Sequence, residues 1–200
     1  MVDHADRAEA LLVLGHGAGG GPQAPDLALL ARRLPGHGVT VVRVEQPWRL
    51  AGRKVAVPPP KLDEAWLEIL PSVAESWSTL PLFTGGRSAG ARVACRTAMT
   101  LGVRGVVCLA FPLHLPGRPE RSRAAELLAP SVPRLVLQGS RDSFGGTAEV
   151  REAVRGDHGV QVVELADADH SFRIAKGATT TAAELRDRVA AEVLRFVRGE

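Results

Sequence analysis

The chain is short of cysteine, of lysine and of long apolar runs, and each shortage removes a class of function. Two cysteines, Cys95 and Cys108, stand in apolar sequence without metal-type spacing. That pattern excludes a disulfide scaffold or a zinc module and leaves two reduced core thiols. No apolar stretch approaches the roughly 20 residues of a membrane-crossing helix. The first residues carry Asp3, Asp6 and Glu9 where a signal peptide would have a long apolar stretch. These features predict a cytoplasmic protein with no membrane partner. Lysine occurs only at Lys54, Lys61 and Lys176, so the formal charge of +3 comes almost entirely from arginine. The 22 Asp and Glu residues are interleaved with those arginines, which gives a mixed surface instead of the basic face of a nucleic-acid binder. The densest basic stretches, Arg49 to Lys54 and Arg118 to Arg123, read as solvated loops.

What is present is an ordinary globular composition, 45% hydrophobic and 24% charged over 200 residues, the size of one domain with its own core. Apolar runs at Leu11 to Leu14, Val39 to Val44, Leu80 to Thr84, Gly105 to Phe111, Arg134 to Leu137 and Val160 to Leu165 read as strands. Helical spacing appears between and after them. Leu27, Leu30, Ala31 and Leu34 share a face, as do Leu62, Trp66, Ile69 and Leu70 beyond a loop at Pro58, Pro59 and Pro60. Ala89 to Leu101 and about Ala182 to Val197 complete the helices. About six strands alternating with helices predict an α/β chain: a doubly wound, mostly parallel sheet with helices on both faces. The expected domain covers residues 1–200. About ten residues before the first apolar run leave little room for an N-terminal hairpin, and no insertion is long enough for a cap. In such sheets ligands bind beyond the carboxyl ends of the strands, so the residues there matter most.

After the first strand, Gly15-His16-Gly17-Ala18-Gly19-Gly20 satisfies the dinucleotide pattern G-x-G-x-x-G, with Glu45 ending the next strand. That pattern needs its glycines to run directly into a helix, whereas Pro22 and Pro25 push the helix start to about Asp26. An oxyanion loop is the competing reading, with the Ala18 N–H as first donor and Gly19 next. His16 would brace this loop. After the third strand comes Gly86-Arg87-Ser88-Ala89-Gly90, the only G-x-S-x-G in the chain. It sits at a strand-to-helix junction, where a nucleophile elbow requires it and where an ordinary N-cap serine would also sit.

A nucleophilic serine needs an acid and a base, and in this fold class they follow in that order. Asp142 trails the strand around Val136 and His170 trails the strand around Val163. Asp167 and Asp169 lie too close in sequence to His170 to reach its Nδ1 and suit loop capping. His114, in Phe111-Pro112-Leu113-His114, follows another strand and is a candidate for the pocket wall together with Trp48, Phe144 and Phe172. Arg53, Lys54 and Arg87 suggest an anionic substrate group, with surface salt bridges as the competing reading.

These residues resemble the α/β-hydrolase superfamily, through the loop Gly15 to Gly20, the elbow Gly86 to Gly90, Gly139-Ser140-Arg141-Asp142 and Asp169-His170-Ser171-Phe172. The loop from Arg53 to Pro60, the run Gly85 to Arg92 and Phe111 to Pro119 are similar to a small capless group related to dienelactone hydrolases. That group includes the testis-expressed hydrolase-like protein and a subunit of the non-specific lethal acetyltransferase complex. Serine stands here where dienelactone hydrolases proper have cysteine. The residues imply acyl transfer from an ester or thioester, with Ser88 as nucleophile, His170 as base, Asp142 as its orienting acid, and the N–H groups of Ala18 and Ala89 as oxyanion donors. No cofactor or metal is needed. Some relatives serve as assembly subunits, which leaves open a noncatalytic interaction module, a protein partner or a homodimer. A dinucleotide-dependent oxidoreductase is the remaining alternative.

Overall fold

A computed structural model describes residues 1–53 and 56–200. Its centre is a seven-stranded sheet built from β1 (Val2–Asp3), β2 (Ala10–Gly15), β3 (Val39–Val44), β4 (Leu82–Arg87), β5 (Gly105–Leu109), β6 (Arg134–Gly139) and β7 (Val160–Leu165). The order across the sheet is β1-β3-β2-β4-β5-β6-β7. All neighbours pair in parallel except β1, which runs antiparallel along the edge of β3 with Val2 opposite Val42. The six strands expected from the apolar runs are all present. The seventh, β1, is two residues long, too short to carry a hydrophobic pattern.

Strand period decides the layers. Leu12 and Leu14 of β2, Val107 and Leu109 of β5, and Leu135 and Leu137 of β6 face one side. There they meet α1 (Pro25–Arg33) and α7 (Ala182–Arg198) through residues such as Leu27, Leu30, Leu185, Val189 and Val193. The alternate residues Leu11, Val13, Val106, Cys108 and Val136 point the other way. They are covered by α3 (Pro59–Glu75) and α4 (Ala89–Leu101) through Leu62, Trp66, Leu70, Val93, Ala94 and Ala98. Since both faces are covered, β2, β3, β5 and β6 are buried along their whole length, which is why they read as continuous apolar runs. Cys95 and Cys108 are free and buried, with their sulfurs 3.5 Å apart across the α4–β5 contact.

Three short helices escape the sequence pattern: α2 (Pro47–Leu50), α5 (Ala124–Leu128) and α6 (Thr147–Ala153). Each is too short for a full apolar stripe. The Pro58 to Pro60 segment is also more than a loop, because α3 opens at Pro59; a proline at the first helical position costs nothing, since its missing N–H has no partner there anyway. No cap domain is inserted among the described residues, and none of their helices is long and apolar enough to cross a membrane.

Candidate active site

The chain leaves β2 toward β3 on one side and leaves β4 toward β5 on the other, so the loops after β2 and β4 diverge and open a crevice at the carboxyl edge of the sheet. Ser88 stands at this switch point. It follows β4 directly and caps α4, with φ 52° and ψ −110°, a left-handed φ uncommon for a residue with a side chain. Its N–H donates to the Leu109 carbonyl at 3.0 Å, which extends the β4–β5 ladder by one bond and fixes the turn.

The glycines flanking Ser88 are required by close backbone approach. A Cβ at Gly86 or at Gly90 would lie 2.3 Å from the Gly15 carbonyl oxygen. Removing both side chains lets the turn between β4 and α4 lie flat against the end of β2. The same approach brings the glycine-rich loop to the serine, since a Cβ at Gly17 would lie 3.5 Å from the Ser88 Cβ.

His170 reaches Ser88 from the loop after β7. Its Nε2 lies 3.0 Å from Ser88 Oγ and its Nδ1 lies 2.8 Å from Asp142 Oδ2. Asp142, in the loop after β6, has a fully buried side chain, while that of His170 keeps 21% of its surface exposed. The Asp142 carboxylate is held from several directions. Oδ1 accepts the Phe144 N–H at 2.8 Å, and Oδ2 accepts a second donor, Gln138 Nε2, at 3.0 Å. The Phe144 ring stacks on the imidazole at 4.2 Å between centroids. Asp169 caps the His170 loop, its Oδ1 accepting from the N–H groups of Ser171 and Arg173. Asp167 and Phe172 in the same segment also have positive φ.

Ala18 and Ala89 flank the crevice. Among the described residues neither backbone N–H donates to a protein acceptor. Ala89 is the first residue of α4, where the N–H groups point out of the helix and carry its positive dipole end. Gly19 is exposed and has open space where a Cβ would stand. His16 is buried behind this loop. Its Nε2 accepts the Gln46 N–H at 3.1 Å, so Nδ1 carries the proton donated to the Gly17 carbonyl at 2.9 Å. Burial pushes its pKa down, in keeping with a neutral brace. The Trp48 ring packs edge-on against it at 5.8 Å.

Two expected pocket residues are committed elsewhere. Arg87 is no free cation for a substrate. Its Nε donates to Asp26 Oδ2 at 2.7 Å, its Nη1 to the His170 carbonyl, and its guanidinium covers the Phe172 ring at 4.6 Å. His114 is buried with both ring nitrogens engaged. Nδ1 donates to the Leu115 carbonyl and Nε2 meets Glu149 Oε2, both at 2.9 Å. The Leu115 carbonyl, and after it Glu149, raise its pKa against the opposing effect of burial. Trp48 and Arg53 line a cavity of about 460 Å³ with Val57, Pro58 and Lys61, whose lining includes none of Ser88, Asp142 or His170. Lys54 lies outside the described residues.

Sequence reading missed Asp26, Gln138 and Glu149. Gln138 had one signal, a polar residue directly after the apolar run Leu135 to Leu137. Asp26 resembled any acidic residue in a first helical turn, and Glu149 any surface glutamate. Among the described residues no group of His, Cys, Asp and Glu is arranged to hold a metal ion.

Comparison with known proteins gives this architecture its class. Residues 8–198 match the alpha/beta hydrolase domain family, and the chain belongs to that family. Among solved structures of the same fold, an α/β serine hydrolase homologue from Coxiella burnetii is 20% identical with a TM-score of 0.75, covering 96% of this chain and 90% of its own. A serine hydrolase without lid from Xanthomonas campestris is 22% identical with a TM-score of 0.69, covering 98% and 85%. A dienelactone hydrolase from Anabaena variabilis is 17% identical with a TM-score of 0.76, covering 99% and 89%.

Proposed function

We propose that this protein is a serine hydrolase that cleaves a small carboxylic ester or thioester through an acyl-enzyme on Ser88. One observation carries the reading: Ser88 Oγ lies 3.0 Å from His170 Nε2 while His170 Nδ1 lies 2.8 Å from the buried Asp142 carboxylate. A serine used only as a helix cap has no need of either contact.

In this mechanism Ser88 Oγ attacks the carbonyl carbon as His170 Nε2 takes its proton. Asp142 stays ionised, holds the Nδ1–H tautomer and stabilises the imidazolium. The tetrahedral oxyanion lies between the N–H groups of Ala18 and Ala89, each worth about 100 to 1000-fold in rate by analogy with other oxyanion donors. Collapse of the intermediate breaks the bond to the alcohol or thiol, which leaves with the proton from His170. Water then enters, gives a proton to the same Nε2 and attacks the acyl carbon, releasing the acid and Ser88. Every proton passes through Nε2. The solvent-exposed His170 edge and the absence of a cap among the described residues favour an open cleft. Gly19 and Phe144 edge that cleft, whereas Phe172 packs under the Arg87 guanidinium against the α1 and α7 face of the core, and Trp48 and Arg53 line a cavity of their own beyond β3.

A fluorophosphonate probe tests the reading. Wild-type protein is expected to label at Ser88, and Ser88→Ala to lose both labelling and hydrolysis of short p-nitrophenyl esters while keeping its melting temperature. A folded wild-type protein that neither labels nor turns over any member of a chain-length panel of esters and thioesters would favour a noncatalytic module. NAD(P) binding without serine labelling would favour an oxidoreductase.

A further inference from the structure

We infer that Gln138 is a positioning residue for the acid of this site, setting both the place of Asp142 and its hold on His170. The inference rests on the hydrolase reading of Ser88, His170 and Asp142. Gln138 lies near the end of β6, with none of its surface exposed. Its Nε2 sits among three oxygens: Gly145 O at 2.6 Å, Asp142 Oδ2 at 3.0 Å and Phe111 O at 3.2 Å. All three belong to loops at the carboxyl edge of the sheet, and Asp142 and Gly145 bracket the turn that carries the acid. One amide nitrogen thus ties the Asp142 loop to itself and to the end of the neighbouring segment after β5.

The other half of the amide argues that packing is not the reason for this residue. Among the described residues, the buried Gln138 Oε1 has no hydrogen-bond partner. An orphaned carbonyl in an apolar interior is a net cost that an isosteric apolar side chain would avoid. What the side chain supplies is its N–H donors, and one of them points at Oδ2, the same oxygen that receives His170 Nδ1. A carboxylate oxygen shared between two donors is less basic toward either one. Gln138 therefore fixes Oδ2 in place and limits how strongly that oxygen holds the His170 Nδ1–H. The other charged groups around His170 are Arg87, which is paired with Asp26 and bonded to the His170 carbonyl, and Asp169, tied to the Ser171 and Arg173 N–H groups. None of these touches Oδ2.

The test compares wild type with Gln138→Met, which keeps the volume and removes the donor, and with Gln138→Glu. The His170 Nδ1–H resonance, identified by its loss in His170→Gln, is read by proton NMR beside fluorophosphonate labelling and ester turnover. Gln138→Met is expected to melt at or above the wild-type temperature and to move the Nδ1–H resonance. Its kcat should fall about tenfold to a hundredfold with KM unchanged, the loss of one hydrogen bond to a charged group. The resonance moves because Asp142 Oδ2 is then left with the His170 Nδ1–H alone. Gln138→Glu should recover neither the rate nor the resonance, since its carboxylate accepts where the amide Nε2 donates to Asp142 Oδ2, Gly145 O and Phe111 O. An unmoved resonance in a folded Gln138→Met, whatever its rate, would overturn the proposal. The NMR reading stands apart from catalysis. If wild type fails to label, the hydrolase reading falls while the resonance still decides whether Gln138 governs the Asp142 contact.

Discussion

Arg87 and Asp26, 61 positions apart in the chain, form a buried ion pair at 2.7 Å, with 12% and 5% of their side chains exposed. The pair is the base of a strut. Asp26 is fixed at the start of α1, where its other oxygen accepts the Leu27 N–H, and Arg87 carries that anchorage across to the His170 carbonyl and the Phe172 ring. The variable position of the elbow motif thus fixes the loop bearing the proposed base.

Breaking one side of this pair leaves an uncompensated buried charge, which typically costs about 3 to 5 kcal/mol. Arg87→Met is therefore expected to lower stability in urea by that order. The double variant Arg87→Met with Asp26→Leu should recover most of the stability and little of the Ser88 labelling rate, because the His170 loop still lacks its tether. Equal recovery of both would make the pair purely structural.

Two glycines of the proposed site should respond oppositely to alanine. Gly90→Ala places a Cβ 2.3 Å from the Gly15 carbonyl and 3.0 Å from that of His16, both backbone atoms with no room to yield. Overpacking of this kind costs about 1 to 3 kcal/mol or more. Gly19→Ala meets nothing within 4 Å and should melt within about 2 °C of wild type, as surface changes usually do. Thermal melts of the two variants separate the cases.

His114 and Glu149 make stability depend on pH in a defined sense. His114 is raised from its ordinary value, first by the Leu115 carbonyl and then by Glu149. Its contribution is complete below the unfolded value of about 6.5 and is lost as pH rises through the raised folded value. Glu149 is lowered, first by the Gly146 N–H and then by His114, so its contribution is lost as pH falls through the lowered value. In wild type the pair adds to stability between these limits. Replacing His114 with Gln should remove the alkaline decline in melting temperature, and an unchanged decline would assign it to other groups.

Arg53 is exposed beside the cavity that also holds Trp48 and Lys61. Arg53→Glu is expected to raise KM for esters bearing a carboxylate about fivefold, the size of a solvent-exposed charge interaction, while leaving neutral esters unchanged. The effect should shrink with added salt. An equal rise for neutral esters would argue against an anionic substrate group.

Local pattern was enough for much of this. Apolar runs bounded by glycine and proline located six strands, and Ser88, Asp142 and His170 stood out because each follows a strand in a particular order. The pattern failed where elements were too short to have a period, at β1, α2, α5 and α6. It also failed for side chains whose role depends on a distant partner. A cation or a histidine after a strand, as at Arg87 and His114, keeps two readings open until its neighbours are known.

The sequence by itself determined the strand and helix periodicity, the glycines that allow close backbone approach, and the position of each proposed catalytic residue at a strand end. Those features are encoded within a few residues of one another. Only the tertiary structure decided which donors meet which acceptors. The order β3-β2-β4-β5-β6-β7 brings residues tens of positions apart onto one sheet edge, where at least one partner of each pair is buried. Arg87 is there bound to Asp26, His114 to Glu149, and Gln138 to the Asp142 oxygen that also receives His170.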